Sequence, residues 1–152
     1  MNWNIIRYTV TILSIRIIIG LAFTFLSSHF SFPASNNLFE GLSLAEQVLI
    51  IGFITPLFET VIFQFAIIEL VTKLKNIPNV HLLAISISSI TFSASHFQSY
   101  FYMASSLASG LIYAIAYVNI RKIHGQTTTI VSILAVHSLY NLIAFAINYF
   151  LY

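Results

Sequence analysis

Four side chains in this 152-residue chain have the types that amide hydrolysis needs: Glu59, His96, His137 and Asn141. Glu59 is the only charged residue in ITPLFETVIFQF (54–65), and the chain has just four acidic residues to place. A charge at the centre of a bilayer costs roughly 2.5 kcal/mol or more, so a carboxylate at membrane depth marks function by default. Desolvation favours the protonated form of a carboxylate, which makes it a better base toward water. A neighbouring histidine can share that water or hand a proton to a leaving amine. A histidine and an asparagine can donate to the oxyanion of a tetrahedral intermediate. Two histidines and a glutamate would equally suit a zinc ion with an open position. In that case the ligands are Glu59, His96 and His137, although the H-E-x-x-H spacing of common zinc proteases is missing.

Each residue also has a packing explanation. A lone histidine in an apolar helix is usually bonded to a nearby carbonyl, and a membrane asparagine often only holds helices together. The case for chemistry is therefore one of convergence, and it depends on the elements that carry the four residues. The chain is 59% hydrophobic and only 7% charged. Soluble domains carry about 25% charged residues, so the composition specifies an all-α, polytopic membrane bundle forming a single domain over 1–152. Five segments are apolar over about the 20 residues that a span requires: 5–26, 47–72, 81–98, 100–119 and 129–151. No segment alternates as a membrane barrel would. The absence of cysteine excludes disulfides, iron–sulfur clusters and thiol catalysis. A net charge of +2 without a basic run argues against nucleic acid. The N-terminal stretch lacks a small-residue cleavage site and reads as a retained helix.

One long linker, 27–46, ends in Ser43-x-x-Glu46, a capping box that starts the second helix. Shorter breaks fall at 76–80, 98–100 and 124–129. Lys73, Lys75, Arg121 and Lys122 follow the second and fourth spans, while the 27–46 linker and the 98–100 turn carry no Lys or Arg. With Arg7 near the start, the positive-inside rule puts the N-terminus in the cytoplasm, and a bacterial cell membrane is the expected location. Glu69 stands four residues before Lys73, the spacing of a helical ion pair. Arg16 lies well inside the first span and reads as snorkelling or paired within the bundle.

At 1.5 Å per residue from the cytoplasmic helix ends, Glu59 and Asn141 lie about 21 Å deep, His96 about 24 Å and His137 about 15 Å. Asn141 follows His137 by four residues, and His96 follows Phe92 by four, so each pair shares a helix face. Three helices thus bring polar groups into overlapping layers. An intramembrane hydrolase, a non-catalytic scaffold and a proton relay all remain open on these residues alone. The relay is disfavoured because the chain shows neither repeats nor paired broken helices.

The order and spacing of the polar residues resemble the CPBP family of intramembrane proteases (CAAX proteases and bacteriocin-processing enzymes, also called the Abi family). That family carries P-x-x-E-E-x-x-x-R, then F-x-x-x-H, then a small-residue helix, then H-x-x-x-N. Here the corresponding stretches are PLFETVIFQ from Pro56 to Gln64, FSASH from Phe92 to His96 and HSLYN from His137 to Asn141. Between them Ser105, Ser109, Gly110 and Ala114 would allow close helix approach. The likeness covers 46–147 and leaves 5–26 as an added helix in front.

The resemblance implies that Glu59 activates water with His96 sharing the task, and that His137 and Asn141 form the oxyanion site. Thr60, Gln64 and Phe92 would support them. Thr60 replaces the family's second glutamate and Gln64 its arginine, an exchange that removes one anion together with one cation. Gln64, five residues from Glu59, is expected off its face. Members are often labelled metalloproteases, whereas the prenyl-protease members look like glutamate-dependent, metal-free enzymes. The Asn and isolated His residues fit the metal-free form, so no cofactor is expected and zinc is the alternative. The implied substrate is a short peptide or the tail of a small membrane protein, in bacteriocin maturation or self-immunity among bacterial themes. The competing reading is a non-catalytic membrane scaffold or immunity protein of the same fold.

Overall fold

The structure, a computed structural model, describes residues 3–30 and 41–151. They form five helical elements: α1 (Trp3–Phe30), α2 (Leu44–Thr72), α3 (Val80–Ala94), α4 (Tyr100–His124) and α5 (Gln126–Leu151). No strand occurs among the described residues. The middle of the 27–46 linker, 31–40, lies outside the described residues, and α1 continues to Phe30, beyond the expected end at 26.

Four of the helices are long and apolar enough to cross a membrane; α3 is not. Its 15 residues rise about 22 Å, short of the roughly 30 Å hydrocarbon core. The expected span 81–98 is thus corrected: the helix stops at Ala94 and the chain turns through Ser95–Ser99 before α4 begins. Ser93 donates its hydroxyl to Met103 O at 2.8 Å, tying this turn to the start of α4. At the other end of the bundle, the α4–α5 break narrows from the expected 124–129 to Gly125 alone. Its φ of 77° needs a glycine.

α2 begins with the expected capping box. Ser43 Oγ accepts from the Glu46 backbone N–H, and the Ser43 N–H donates to Glu46 Oε2 at 2.8 Å. The helix is π-wound over Ile50–Ile54 and again over Thr60–Ile67, on either side of the Thr55–Glu59 turn. Pro56 accounts for a local irregularity, because it offers no N–H and its ring crowds the preceding turn. The Thr55 N–H bonds Ile50 O, five residues back. In the same register Ile51 O would need the N–H that Pro56 lacks. Asn141 of α5 supplies the replacement, its Nδ2 donating to Ile51 O at 3.2 Å.

The bundle is lined with small and polar groups and coated with apolar ones. Thr60, Gln64, Ser88, Ser89 and His137 are buried, while Leu57, Phe58, Ile62, Leu82 and Ile90 are exposed. That inversion suits a hydrocarbon solvent, where close packing rather than apolar burial joins helices. Gly110 shows the mechanism: a Cβ there would stand 3.1 Å from both Phe92 Cδ1 and Ser89 Cα. The glycine therefore lets α4 seat directly on α3, the most extensive helix pairing in the molecule. Gly52 likewise admits Leu142 of α5 against α2.

Candidate active site

The structure brings Glu59, His96 and His137 into direct contact. Glu59 Oε1 lies 3.4 Å from His96 Nε2, and Oε2 lies 3.2 Å from His137 Nε2. Three separate elements deliver them: the α2 turn after Pro56, the chain just past α3, and the middle of α5. His96 is not on its helix, contrary to expectation, but one residue beyond the Ser95 cap. Its side chain folds back so that Nδ1 lies 2.8 Å from Phe92 O. The F-x-x-x-H spacing therefore serves a side-chain cap of the α3 C-terminus. Phe92 itself stands between the two histidines, with ring centroids 4.6 Å from His96 and 6.0 Å from His137.

The hydrogen bonds fix which nitrogens carry protons. A carbonyl oxygen only accepts, so Nδ1 of His96 must donate to Phe92 O. His96 Nε2 then faces Glu59 either as a second N–H or as a lone pair, and the two groups can hold one proton between them. His137 is arranged the other way. Its Nδ1 meets the buried Thr60 hydroxyl at 3.4 Å, while Nε2 meets the carboxylate. A threonine hydroxyl can donate to Nδ1, which leaves neutral His137 with Nε2–H pointing at Glu59. The accept-only carboxylate sets that tautomer, and Thr60, where the family pattern has a second glutamate, meets the other ring nitrogen without adding an anion.

The side chains of Glu59 and His96 are 17% and 13% exposed, against 4% for His137. Anything entering from outside therefore meets the Glu59–His96 edge first. Asn141 is on the same face of α5 as His137, as expected, but one of its amide hydrogens is committed to Ile51 O. Its second N–H remains for chemistry.

Gln64, expected off the face of Glu59, lies in the π-wound stretch Thr60–Ile67. Gln64 is fully buried, and neither amide atom has a hydrogen-bond partner among the described residues. Sequence reasoning missed the aromatic surround. Tyr113 packs its ring 4.6 Å from His137, and Tyr102 approaches His96 at 5.2 Å. Tyr113 sits in the small-residue helix, and its position one turn from Ser109 and Gly110 was the available signal.

Arg16 does not snorkel. It is 6% exposed, with its guanidinium carbon 3.5 Å above the centre of the Tyr140 ring. Glu69 does not rely on Lys73: it pairs across helices, accepting from Arg121 Nε at 2.8 Å and from Tyr117 Oη at 3.0 Å. Among the described residues no group of three or more His, Cys, Asp or Glu is arranged to hold a metal ion.

No curated protein and no solved structure matches the chain. A family profile described as type II CAAX prenyl endopeptidase Rce1-like matches residues 41–143. The matched stretch takes in α2, α3, α4, the Glu59–His96–His137 cluster and Asn141, and it leaves α1 outside. With four apolar helices of membrane-crossing length around that cluster, the chain belongs to the Rce1-like family of CAAX endopeptidases and is an integral membrane protein of protease type.

Proposed function

We propose that the protein cleaves a peptide bond within the membrane using water activated by Glu59, without a metal ion. The observation that carries this reading is one carboxylate whose two oxygens each meet the Nε2 of a different histidine. A glutamate held by a fixed cation would stay ionised and inert. A glutamate held by two imidazoles can gain and lose a proton with them.

Water bound at the Glu59–His96 edge loses a proton to that pair as its oxygen bonds the scissile carbonyl carbon. The carbonyl electron pair moves onto oxygen, where Asn141 contributes its second N–H. Protonation of Glu59 weakens its hold on His137, which turns its Nε2–H toward the new oxyanion. The tetrahedral centre collapses as the C–N bond breaks, and the proton stored on Glu59 and His96 passes to the leaving nitrogen. The same groups thereby serve as base and then as acid.

The more exposed edge of the site, at Glu59 and His96, suits an extended backbone such as a short peptide or the tail of a small membrane protein. Bacteriocin maturation and self-immunity are roles of this kind. A cytoplasmic N-terminus is supported by Lys73, Lys75, Arg121 and Lys122 gathering at the end of the bundle where Glu69 meets Arg121, and a bacterial membrane is the proposed setting. Single cysteines introduced into this cysteine-free chain, one in each loop, would report that orientation through labelling from each side. The catalytic reading is tested on purified protein with internally quenched peptides, with and without S-farnesyl cysteine. Cleavage that persists in chelator is expected. Cleavage lost to chelator and restored by zinc would replace the metal-free route with a Glu59, His96, His137 zinc site. No cleavage of any peptide, with cellular protection intact, would favour a scaffold.

A further inference from the structure

The two residues given the oxyanion task are largely occupied before reaction begins. His137 has Nε2 on Glu59 and Nδ1 on Thr60, and Asn141 has one N–H on Ile51 O. Oxyanion donors are most effective when already aimed and unengaged, because no reorganisation is then needed as charge develops. Further buried donors lie on α1 and α4: Arg16 Nε and Nη1 and the Tyr113 hydroxyl have no partner in the Glu59 cluster, and the guanidinium lies close enough to the Tyr113 oxygen to donate to it.

Placement ties these donors to the site. Arg16 lies over the ring of Tyr140, which directly precedes Asn141, and Tyr113 lies against the ring of His137. The Arg16 charge is within electrostatic range of His137, Tyr113 and Tyr102. Gly20, one turn beyond Arg16, completes the seat: a Cβ there would stand 2.5 Å from Tyr140 Oη. The Arg16–Gly20 stripe of α1 thus clasps Tyr140 and fixes the guanidinium. Among the described residues no carboxylate pairs with Arg16, since Glu59 is held by histidines and Glu69 by Arg121. A buried cation in a membrane bundle is costly without an anion. The anion that arises in this site is the one made by the reaction.

We infer that Arg16 from the added helix α1, with the Tyr113 hydroxyl, joins Asn141 and His137 as a donor pair that stabilises the oxyanion during peptide hydrolysis. Both donate hydrogen bonds and keep their protons, while the carbonyl oxygen receives the electron pair released by attack of water. The inference rests on the proteolytic reading above. It also relocates a function: the cation that the family pattern carries at position 64 is Gln64 here, and α1 brings a guanidinium from outside the family-matched segment.

The test compares kcat and KM for Arg16→Gln, Arg16→Lys and Tyr113→Phe on the internally quenched peptide that the wild type cleaves. Arg16→Gln is expected to lower kcat by about 10²–10³-fold with KM nearly unchanged. Arg16→Lys should recover part of that loss, and Tyr113→Phe should show a smaller fall in kcat. Affinity for a peptidyl phosphonate, a mimic of the tetrahedral anion, should drop in Arg16→Gln while affinity for an uncleavable peptide analogue stays at the wild-type value. Wild-type kcat in Arg16→Gln would overturn the inference and leave the protease reading standing. Equal loss in the Lys and Gln variants, with lowered thermal midpoints and unchanged phosphonate discrimination, would assign Arg16 to packing. A wild type that cleaves nothing would remove both readings together.

Discussion

Helix α2 carries two buried-side carboxylates ten residues apart, and they are treated in opposite ways. Glu69 accepts hydrogen bonds from Arg121 and Tyr117 on α4. Glu59 faces only imidazoles, His96 and His137. A guanidinium does not titrate in the working pH range, so the Glu69 pair has one charge state and can only join α2 to α4. An imidazole can both give and take a proton, so the partners of Glu59 are groups that can exchange a proton with it. The difference between the two sites is thus the identity of the partner, and it separates a clamp from a reaction centre. The surrounding backbone differs in parallel. Glu69 lies in regular α-helix, whereas Glu59 sits between two π-wound stretches after a proline.

Substitutions on either side of this contrast should differ in what they damage. Apart from Glu59 itself, the largest expected loss follows His96→Ala, which removes the proton-sharing partner at the open edge. Cleavage should fall by about 10²–10⁴-fold, the range for a positioned acid–base group, with the protein still folded by circular dichroism. A rate within a few-fold of wild type would break the contrast, because the Glu59 proton would then not need His96.

Next comes Thr60→Val, which keeps shape and deletes the hydroxyl that orients His137. Loss of one hydrogen bond worth about 1 kcal/mol corresponds to a fall of up to about tenfold in kcat as the His137 ring loses its partner at Nδ1. A wild-type kcat would show that Thr60 does not position His137. Asn141→Ala should combine a modest rate loss with a lowered thermal midpoint, since it also strips Ile51 O of its donor; a rate loss without any change in midpoint would remove the backbone-capping role. The smallest effect on chemistry belongs to Glu69→Gln. Its partner Arg121 is 39% exposed, and such pairs contribute about 0–1 kcal/mol, so stability should dip slightly while kcat stays at the wild-type value. A large loss of kcat there would show that the two carboxylates are coupled.

Much of the site was legible in the sequence, for definite reasons. Glu59 was conspicuous because charge is scarce in a chain of this composition, and the depth count along each helix put His96, His137 and Asn141 in layers overlapping its own. The Ser43–Glu46 box was legible because its chemistry is local. What escaped depended on departures from regular winding or on packing between helices. The π-wound stretch that carries the buried Gln64 had no signal beyond Pro56, because a regular 3.6-residue period was assumed along α2. His96 was assigned to a span running to 98, yet the helix stops at Ala94 and the side chain caps its end. Glu69 was paired with Lys73 by spacing, whereas packing gave it Arg121. Arg16 appeared as an awkward charge in a span, and only the seat formed by Tyr140 and Gly20 shows where it points.

The most direct test of the central claim is the cleavage rate of purified Glu59→Gln beside Glu69→Gln on one peptide. Glutamine preserves the shape of the carboxylate, keeps one of its two accepting oxygens, and cannot take a proton from water. Glu59→Gln is expected to be inactive in a folded protein while Glu69→Gln cleaves at the wild-type rate. Cleavage by Glu59→Gln at the wild-type rate would contradict the assignment of Glu59 as the base.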